Sequence, residues 1–266
     1  MLDDLTIAFR SLRKSPAFTG VALLVLALSI GAGTAIFSVV DAVILRGLPF
    51  DEYDRLGVVY ERDTTHETTL FGGGRITSQT YLDCRQMQQP FQALTAVTGS
   101  QFRLKTGGGE PADARAQRVT WEFFPVLRTA PMMGRAFNAS DEIEGKHHVT
   151  ILAYGFWQRR FGGAPDVVGR TIELNEIPYE IVGVMPRTFD YPVGSDRPAE
   201  LLVPLMFNGN ERTKGSNHTY NYTVIGRLKD GVSFQQATDR MWRLSEQLNT
   251  QDPKWAPGRR ARRRLS

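Results

Sequence analysis

An uncharged stretch near the N-terminus constrains this chain more than any other feature. The 26 residues from Ser15 to Val40 carry no charged side chain, and after Asp41 the apolar character continues to Leu45. A bilayer core needs about 20 residues of helix, so we predict a transmembrane helix over residues 16–46. A cleaved signal peptide has an apolar region of only about 7–15 residues, and a buried core helix is seldom apolar all round over such a length.

The charges before this helix predict its orientation. Arg10, Arg13 and Lys14 immediately precede it, and positive charge near the end of a membrane helix marks the cytoplasmic side. Residues 1–15 also carry apolar side chains at helical spacing, which is typical of an amphipathic helix on the membrane surface; a frayed terminus is the alternative. We therefore expect a cytoplasmic N-terminus and an extracytoplasmic domain over residues 47–255.

The net charge of +4 is set by the last residues of the chain. Five arginines lie within the last eight residues: Arg259, Arg260, Arg262, Arg263 and Arg264. Setting these aside leaves 27 basic against 28 acidic residues, so the body of the chain is neutral and we predict no nucleic-acid partner. The single cysteine, Cys84, cannot form an intramolecular disulfide or a cysteine-based zinc site, and we expect an incidental, half-buried thiol.

Hydrophobic periodicity after residue 47 predicts short strands interleaved with helices. Strands are predicted at residues 56–61, 95–105, 112–120 and 149–153, twice within 171–186 with a tight connection at Glu176–Pro178, and from Asn221 onward. Helices are predicted from a cap at Ser78 to before Pro90, at 121–127, at 154–161, and from the capping box of Ser233 and Gln236 to about Asn249. The last helix presents an apolar stripe of Ala237, Met241, Leu244 and Leu248.

This interleaving predicts an α+β fold class, in which a mixed α/β domain contains a largely antiparallel sheet. A new strand–helix–hairpin unit begins near MMGRAF, at residues 132–137. We therefore expect two lobes, one around residues 50–125 and the other an insertion near 130–215.

The aromatic residues of the helix predicted at 154–161 have two interpretations. Trp157 and Phe161 are four residues apart and share a helical face with Tyr154, while Phe156 flanks that face. Side chains of this size favour a role in anchoring the helix on a neighbouring sheet. The alternative is an exposed aromatic patch that contacts a partner.

The sequence contains no complete motif for catalysis or ligand binding among those considered below. Gly145-Lys146 lacks the flanking residues of a phosphate-binding loop, and His66-Glu67 lacks the second histidine of a zinc protease. The glycines at 72–74 favour a loop over a dinucleotide site, and neighbouring histidines such as His147 and His148 face opposite sides of a strand. We predict that the chain is not an enzyme and assign no catalytic, cofactor-binding or metal-binding residues and no cofactor.

Four long segments, in matching order, carry a resemblance to a known family. They are residues 4–50, 123–137, 149–192 and 222–237. The first resembles the start of MacB/FtsX-type ABC transporter permeases, in particular the large bacterial permeases in which such a unit is duplicated. The other three look like the MacB-like periplasmic core domain.

The resemblance implies a permease subunit, or a permease fragment, of an ABC-type export or mechanotransmission system in the bacterial inner membrane. The implied partners are a cytoplasmic ABC ATPase, a second permease unit in a homodimer or pseudo-dimer, the membrane itself and, as a further candidate, a periplasmic adaptor. The connection LPFDEYD at residues 48–54 is too short to act as a flexible linker, which fits a domain that moves with its membrane helix.

The C-terminal residues depart from the family pattern. Family members continue into three more membrane helices, so we interpret the arginine-rich tail at 256–266 as the product of a truncation or a frameshift. Two other classes stay open: a single-pass anchored sensor or interaction module without transport activity, and an anchored periplasmic hydrolase.

Overall fold

The structure, a computed structural model, describes most of the chain after the predicted membrane helix. The described residues are 49–63, 75–87, 90–105, 112–212, 221–251 and 261–265. The predicted amphipathic helix at 1–15 and transmembrane helix at 16–46 lie outside these ranges. None of the helices within them is both long enough and apolar enough to cross a bilayer.

Strands and helices alternate along the described residues. The strands are β1 (Leu56–Asp63), β2 (Arg75–Ile76), β3 (Phe91–Lys105), β4 (Ala112–Val119), β5 (Met133–Gly134), β6 (Val149–Leu152), β7 (Thr171–Leu174), β8 (Ile177–Val184), β9 (Leu201–Pro204), β10 (Tyr222–Leu228) and β11 (Ala261–Leu265). The helices are α1 (Ser78–Met87), α2 (Phe123–Leu127), α3 (Tyr154–Phe161), α4 (Gly209–Arg212) and α5 (Phe234–Gln251), with 3-10 turns at Tyr53–Arg55 and Ala139–Glu142. This content confirms the predicted mixed α/β class.

These strands join in one sheet. Its main path runs β11-β1-β10-β3-β4-β9-β6-β8-β5, while β2 pairs with β10 and β7 pairs with β3 and β8. The pairs β4–β9 and β6–β8 are parallel, and the other pairs are antiparallel. The prediction of a largely antiparallel sheet is therefore confirmed.

The first four strands of that path follow a split βαβ pattern. Helix α1 lies between β1 and β3 in the chain, and α5 lies between β10 and β11, within the strand order β11-β1-β10-β3. This order is that of the ferredoxin-like β-α-β-β-α-β motif. The chain leaves the motif after β3 and returns at β10, and residues 129–212, which follow α2, are called the insertion below.

The arginine-rich tail supplies the edge strand of this motif. Residues Ala261–Leu265 form β11, which is antiparallel to β1, and Leu265 pairs with Val59. This strand was not predicted, because five residues with three consecutive arginines show no alternation of apolar and polar side chains.

The prediction of two lobes is wrong, since a single sheet runs through both segments. Strand β3 has 15 residues, so its first part pairs with β10 and its last part reaches β7 of the insertion. The other edge of β4 is paired along Ala116–Val119 with β9, Leu201–Pro204. An unpaired strand edge exposes a row of polar backbone groups. Because β9 of the insertion pairs with this edge of β4, the strands of the insertion continue the sheet of the split βαβ motif.

The two long helices bury their apolar sides in one core. Tyr81 and Cys84 of α1 are buried in the same cluster as Ala237, Met241 and Leu244 of α5. The predicted stripe on α5 is thus confirmed for these three residues, and Cys84 is 1% exposed and not half-buried as expected. Leu248 is described only through its backbone.

The caps of these helices differ in how well they were predicted. The Ser233 hydroxyl accepts from the Gln236 amide at 3.2 Å while the Gln236 side chain accepts from the Ser233 amide at 3.0 Å, which confirms the capping box. In α1 the cap is Thr77, whose hydroxyl accepts from the Thr80 amide at 3.2 Å. The assignment of the cap to Ser78 is therefore wrong by one residue, because either hydroxyl satisfies the sequence rule.

The apolar cluster beneath α3 is shared between the insertion and strands β3 and β4. Phe156 and Trp157 are buried in it, at 3% and 7% exposure, while Tyr154 and Phe161 pack at its edge. The hairpin of β7 and β8 turns at Asn175 and Glu176, both of which have positive φ. The prediction of this connection at Glu176–Pro178 therefore begins one residue too late and ends two residues too late.

Candidate functional site

The adjacent histidines considered above, His147 and His148, lie among the described residues. His147 and His148 precede β6 and their ring centroids are 4.2 Å apart, so the expectation that they face opposite sides of a strand is wrong. Burial and the neighbouring His148 lower the pKa of His147. Among the described residues, no group of three or more histidine, cysteine or acidic side chains could hold a metal ion. His66, Glu67 and residues 72–74 lie outside the described ranges.

A charged cluster joins the end of α1 to the start of α2. Arg85 Nε donates to Glu122 Oε1 at 2.7 Å and its Nη1 to Glu142 Oε2 at 3.0 Å, while Glu142 Oε1 accepts from the Trp121 amide at 2.8 Å. Burial raises the pKa of Glu122, and the positive charge of Arg85 opposes this.

A pocket of about 120 Å³ lies beside this cluster. The second oxygen of Glu122 is sealed from solvent and has no hydrogen-bond partner among the described residues. The ion pairs of Arg85 join the end of α1 to the start of α2 and to the 3-10 turn that contains Glu142.

A second charged network lies where the chain enters β1. We call it the N-terminal junction and define it by six residues: Asp51, Glu52, Arg55, Arg128, Arg227 and Asp230. Three of them come from the segment before β1 and from its 3-10 turn, Tyr53–Arg55. The other three come from the end of α2 and from the end of β10 with the turn that follows it. The junction therefore joins three parts of the chain that are distant in sequence.

Arg227 is the buried centre of this junction. Its side chain is 1% exposed, although it lies on a strand. Its Nε donates to the Val126 carbonyl at 2.7 Å, its Nη1 to the Glu52 carbonyl at 3.0 Å and its Nη2 to the Asp51 carbonyl at 2.8 Å. The planar guanidinium presents its donors in a fixed fork. One side chain thus fixes the segment before β1 and the last turn of α2 on the same strand.

Glu52 connects the remaining charges. Its carboxylate lies 2.6 Å from Arg55 Nη1 and 2.5 Å from Arg128 Nη1. Arg55 also reaches Asp230 at 2.6 Å and donates to the Leu228 carbonyl at 2.5 Å. Glu52 adopts a left-handed backbone conformation, with φ of 48°, which is uncommon for a residue other than glycine. The ion pairs of Glu52 with Arg55 and Arg128 stabilise this backbone conformation.

The pKa shifts follow from the same contacts. Hydrogen bonds from Arg128 and then Arg55 hold the pKa of Glu52 below its ordinary value. The hydrogen bond to Glu52 raises the pKa of Arg128. Burial lowers the pKa of Arg227, and the positive charges of Arg128 and Arg55 lower it further, but an arginine side chain remains protonated in proteins.

The depressed pKa of Glu52 predicts a pH dependence. A carboxyl whose pKa is lowered by folding contributes stability above its unfolded pKa, about 4.3 for glutamate, and loses it as pH falls through the lower folded value. We expect Glu52→Gln to melt below the wild type at pH 7 and the difference to close as pH falls below about 4. Thermal unfolding of both proteins in detergent between pH 3 and 7 checks this. A difference that does not change with pH would contradict the ionic role of Glu52.

The junction was not predicted from the sequence. Alternation along the strand puts Arg227 on the face of β10 opposite Tyr222 and Val224. The available signal was Ile225, an apolar neighbour on the same face, which indicates that this face is also covered. In the structure Ile225 packs against the core cluster that contains α2.

Comparison with known families supports the resemblance found in the sequence. The family profile described as the MacB-like periplasmic core domain matches residues 19–244. The macrolide export ATP-binding/permease protein MacB of Hyphomonas neptunium is 21% identical over 248 residues, which are 91% of this chain and 37% of that protein. MacB 1 of Yersinia pestis is 26% identical over 157 residues, which are 59% of this chain and 23% of that protein. The matched segments therefore span 23% to 37% of the length of these relatives.

Solved structures share the fold. A domain of a putative permease from Porphyromonas gingivalis matches with a TM-score of 0.60 at 14% identity, over 82% of this chain and 91% of that one. The extracellular domain of the noncanonic ABC-type transporter YknZ from Gram-positive bacteria matches with a TM-score of 0.52 at 16% identity, over 79% and 99%. The periplasmic region of MacB from Actinobacillus actinomycetemcomitans matches with a TM-score of 0.51 at 16% identity, over 76% and 86%.

Proposed function

This chain belongs to the family of MacB-like periplasmic core domains, and from this premise we propose that it is a permease component of an ABC-type export or mechanotransmission system. Its role in that system is to couple ATP hydrolysis by a cytoplasmic ATPase to movement of the outer domain. The relatives named above are described as export ATP-binding/permease proteins, which supports this system class.

The N-terminal junction is the observation that carries the coupling role. A flexible linker would let a membrane helix move without its outer domain. Here the segment at Asp51 and Glu52 is bonded to β10 through Arg227 and to the end of α2 through Arg128. A displacement of the chain at residue 50 must therefore either move the domain or break these bonds.

We also propose that the chain is anchored in the inner membrane and works with an ATPase and a second permease unit. The uncharged stretch at 15–40 is the membrane anchor, and Arg10, Arg13 and Lys14 place the N-terminus in the cytoplasm. The domain from Pro49 onward then lies in the periplasm. An ABC ATPase on the cytoplasmic side supplies the energy, and a second permease unit completes the assembly.

Co-expression with a cytoplasmic ABC ATPase of the same organism tests this function. We expect the two proteins to co-purify in detergent and the chain to change the rate of ATP hydrolysis. Inserting Gly-Gly-Ser after Phe50 should preserve co-purification but remove the effect on the rate, because the inserted residues separate the anchor from the junction.

The same insertion after Gly145 is the matched control. Gly145 lies in an exposed turn with open space around it, so this variant should behave as the wild type. An ATPase that neither binds the chain nor responds to it would reject the proposed function. If the two insertion variants changed the rate of ATP hydrolysis to the same extent, the role of the junction in coupling would be rejected.

A further inference from the structure

The short helix α2 lies between the N-terminal junction and the insertion. On one side, its last turn receives the hydrogen bond from Arg227 Nε to the Val126 carbonyl, at 2.7 Å. Arg128 ends the helix in a left-handed conformation, with φ of 51°, and its side chain binds the Glu52 carboxylate at 2.5 Å. The end of α2 is thus bonded directly to the segment before β1.

On its other side, α2 packs against aromatic residues of the insertion. The ring of Phe123 meets those of Tyr191 and Phe189 edge to face, with centroids 5.1 Å and 6.2 Å apart. The ring of Phe124 meets that of Phe137 in the same way at 5.5 Å. Phe123 is fully buried and Phe124 is 3% exposed. These contacts place both aromatic residues of α2 within a cluster that the insertion shares with β3 and β4.

The segment before β1 enters the same core directly. Phe50 packs against the cluster that contains Phe123, Phe124 and Tyr191. The cluster beneath α1 and α5 is a separate one and includes none of these residues. The apolar contacts of the segment before β1 therefore lead into the cluster around α2 and not into the cluster beneath the two long helices.

We propose that α2 transmits displacement of the segment before β1 to the insertion, with Arg227 as the positioning residue that fixes α2 to that segment. This inference rests on the proposed function, in which that segment moves with a membrane helix. Packed cores switch between discrete arrangements and do not deform continuously, so a shift at the junction repacks Phe189 and Tyr191 around α2.

Hydrogen exchange on the full chain in detergent tests this route without an ATPase. The variant Glu52→Gln weakens the bonds to Arg128 and Arg55, and the Glu52 side chain is 43% exposed, so the domain should still fold. The informative amides are those of Phe189, bonded to the Pro186 carbonyl, and Ala199, bonded to the Tyr191 carbonyl. In these bonds neither amide is paired with Glu52 or Arg128.

We expect both amides to exchange roughly 2-fold to 30-fold faster in Glu52→Gln, the range of energetic coupling between distant sites. The amides of Tyr81 in α1 and Ala237 in α5, which are also hydrogen-bonded, should exchange at the wild-type rate. Arg227→Lys, which keeps a cation but lacks the fork that reaches three carbonyls, should raise exchange at Phe189 and Ala199 further, and by more than it raises exchange at Tyr81 and Ala237.

The control variant is Asp166→Asn, which breaks an exposed ion pair between Asp166 and Arg170 inside the insertion. It should leave the exchange of Phe189 and Ala199 unchanged, because the pair does not involve α2. Unchanged exchange at Phe189 and Ala199 in Glu52→Gln would overturn the proposal, as would an equal increase at Tyr81 and Ala237, which would indicate global destabilisation.

The outcomes of this experiment are separate from those of the ATPase experiment. Selective exchange at Phe189 and Ala199 supports the route through α2 even if no ATPase responds to the chain. Unchanged exchange rejects the route and leaves the proposed function to be decided by its own measurement.

Discussion

Replacing Arg227 with methionine is expected to lower the free energy of unfolding by about 2–5 kcal/mol. Methionine fills much of the volume of the arginine stem but donates no hydrogen bond. The Val126 carbonyl, whose residue is fully buried, would lose its donor, and a buried acceptor without a partner costs about 1–3 kcal/mol. The carbonyls of Asp51 and Glu52 lie in exposed residues, so water can replace part of what they lose.

Denaturant unfolding of the full chain in detergent measures this change as a shift of the midpoint. Arg103→Met is the matched control, since Arg103 is an exposed arginine on β3 and its loss should change stability by less than about 0.5 kcal/mol. Arg227→Lys should lie between the wild type and the methionine variant. If the Arg227→Met protein unfolded at the same denaturant midpoint as the Arg103→Met control, water would be satisfying the three carbonyls.

The local elements could be predicted from the sequence because their signals are local. Alternation of apolar and polar residues identifies β10, and a capping box followed by an apolar stripe identifies α5. The aromatic helix α3 ends at Gly162 in a left-handed conformation, which the glycine pair after Phe161 indicated. Each of these signals is contained in fewer than about 20 consecutive residues, so no knowledge of the sheet is needed.

The errors in the fold come from pairing between distant segments. The parallel pair of β4 and β9 joins residues about 85 positions apart and converts two expected lobes into one sheet. Strand β11 was not predicted because its own composition does not indicate a strand. It is recognised only through its pairing with β1. Such pairings depend on which strand edge remains open in the folded chain, and a single sequence does not encode that choice in any local pattern.

The N-terminal junction was missed for a related reason. Arginine on a strand usually marks an exposed face, and the burial of Arg227 becomes favourable only where three carbonyls converge on it. Those carbonyls belong to Asp51, Glu52 and Val126, which lie about 100 to 176 residues away in the chain. The short connection at 48–54 was recognised in the sequence, and in the structure its residues Asp51 and Glu52 are bonded to Arg227.

Replacing Trp157 with alanine is the second change with a large expected effect, a loss of about 3–5 kcal/mol in the free energy of unfolding. Trp157 is 7% exposed in the cluster of the insertion, and its indole nitrogen donates to the Ala164 carbonyl at 3.0 Å. The structure therefore supports the anchoring role over the exposed docking patch. For a domain of this size the melting temperature should fall by roughly 6–20 °C.

Two further variants separate the anchoring role from the docking role. Trp157→Phe keeps most of the apolar volume but loses the bond to Ala164, so its loss should be smaller than that of the alanine variant. Arg160→Ala, an exposed position on the same helix, should leave the melting temperature within about 2 °C of the wild type. A Trp157→Ala protein that melts as the wild type but no longer binds a partner would assign this helix to docking. Because the Trp157 side chain is only 7% exposed, we expect the Trp157→Ala protein to melt at a lower temperature than the wild type.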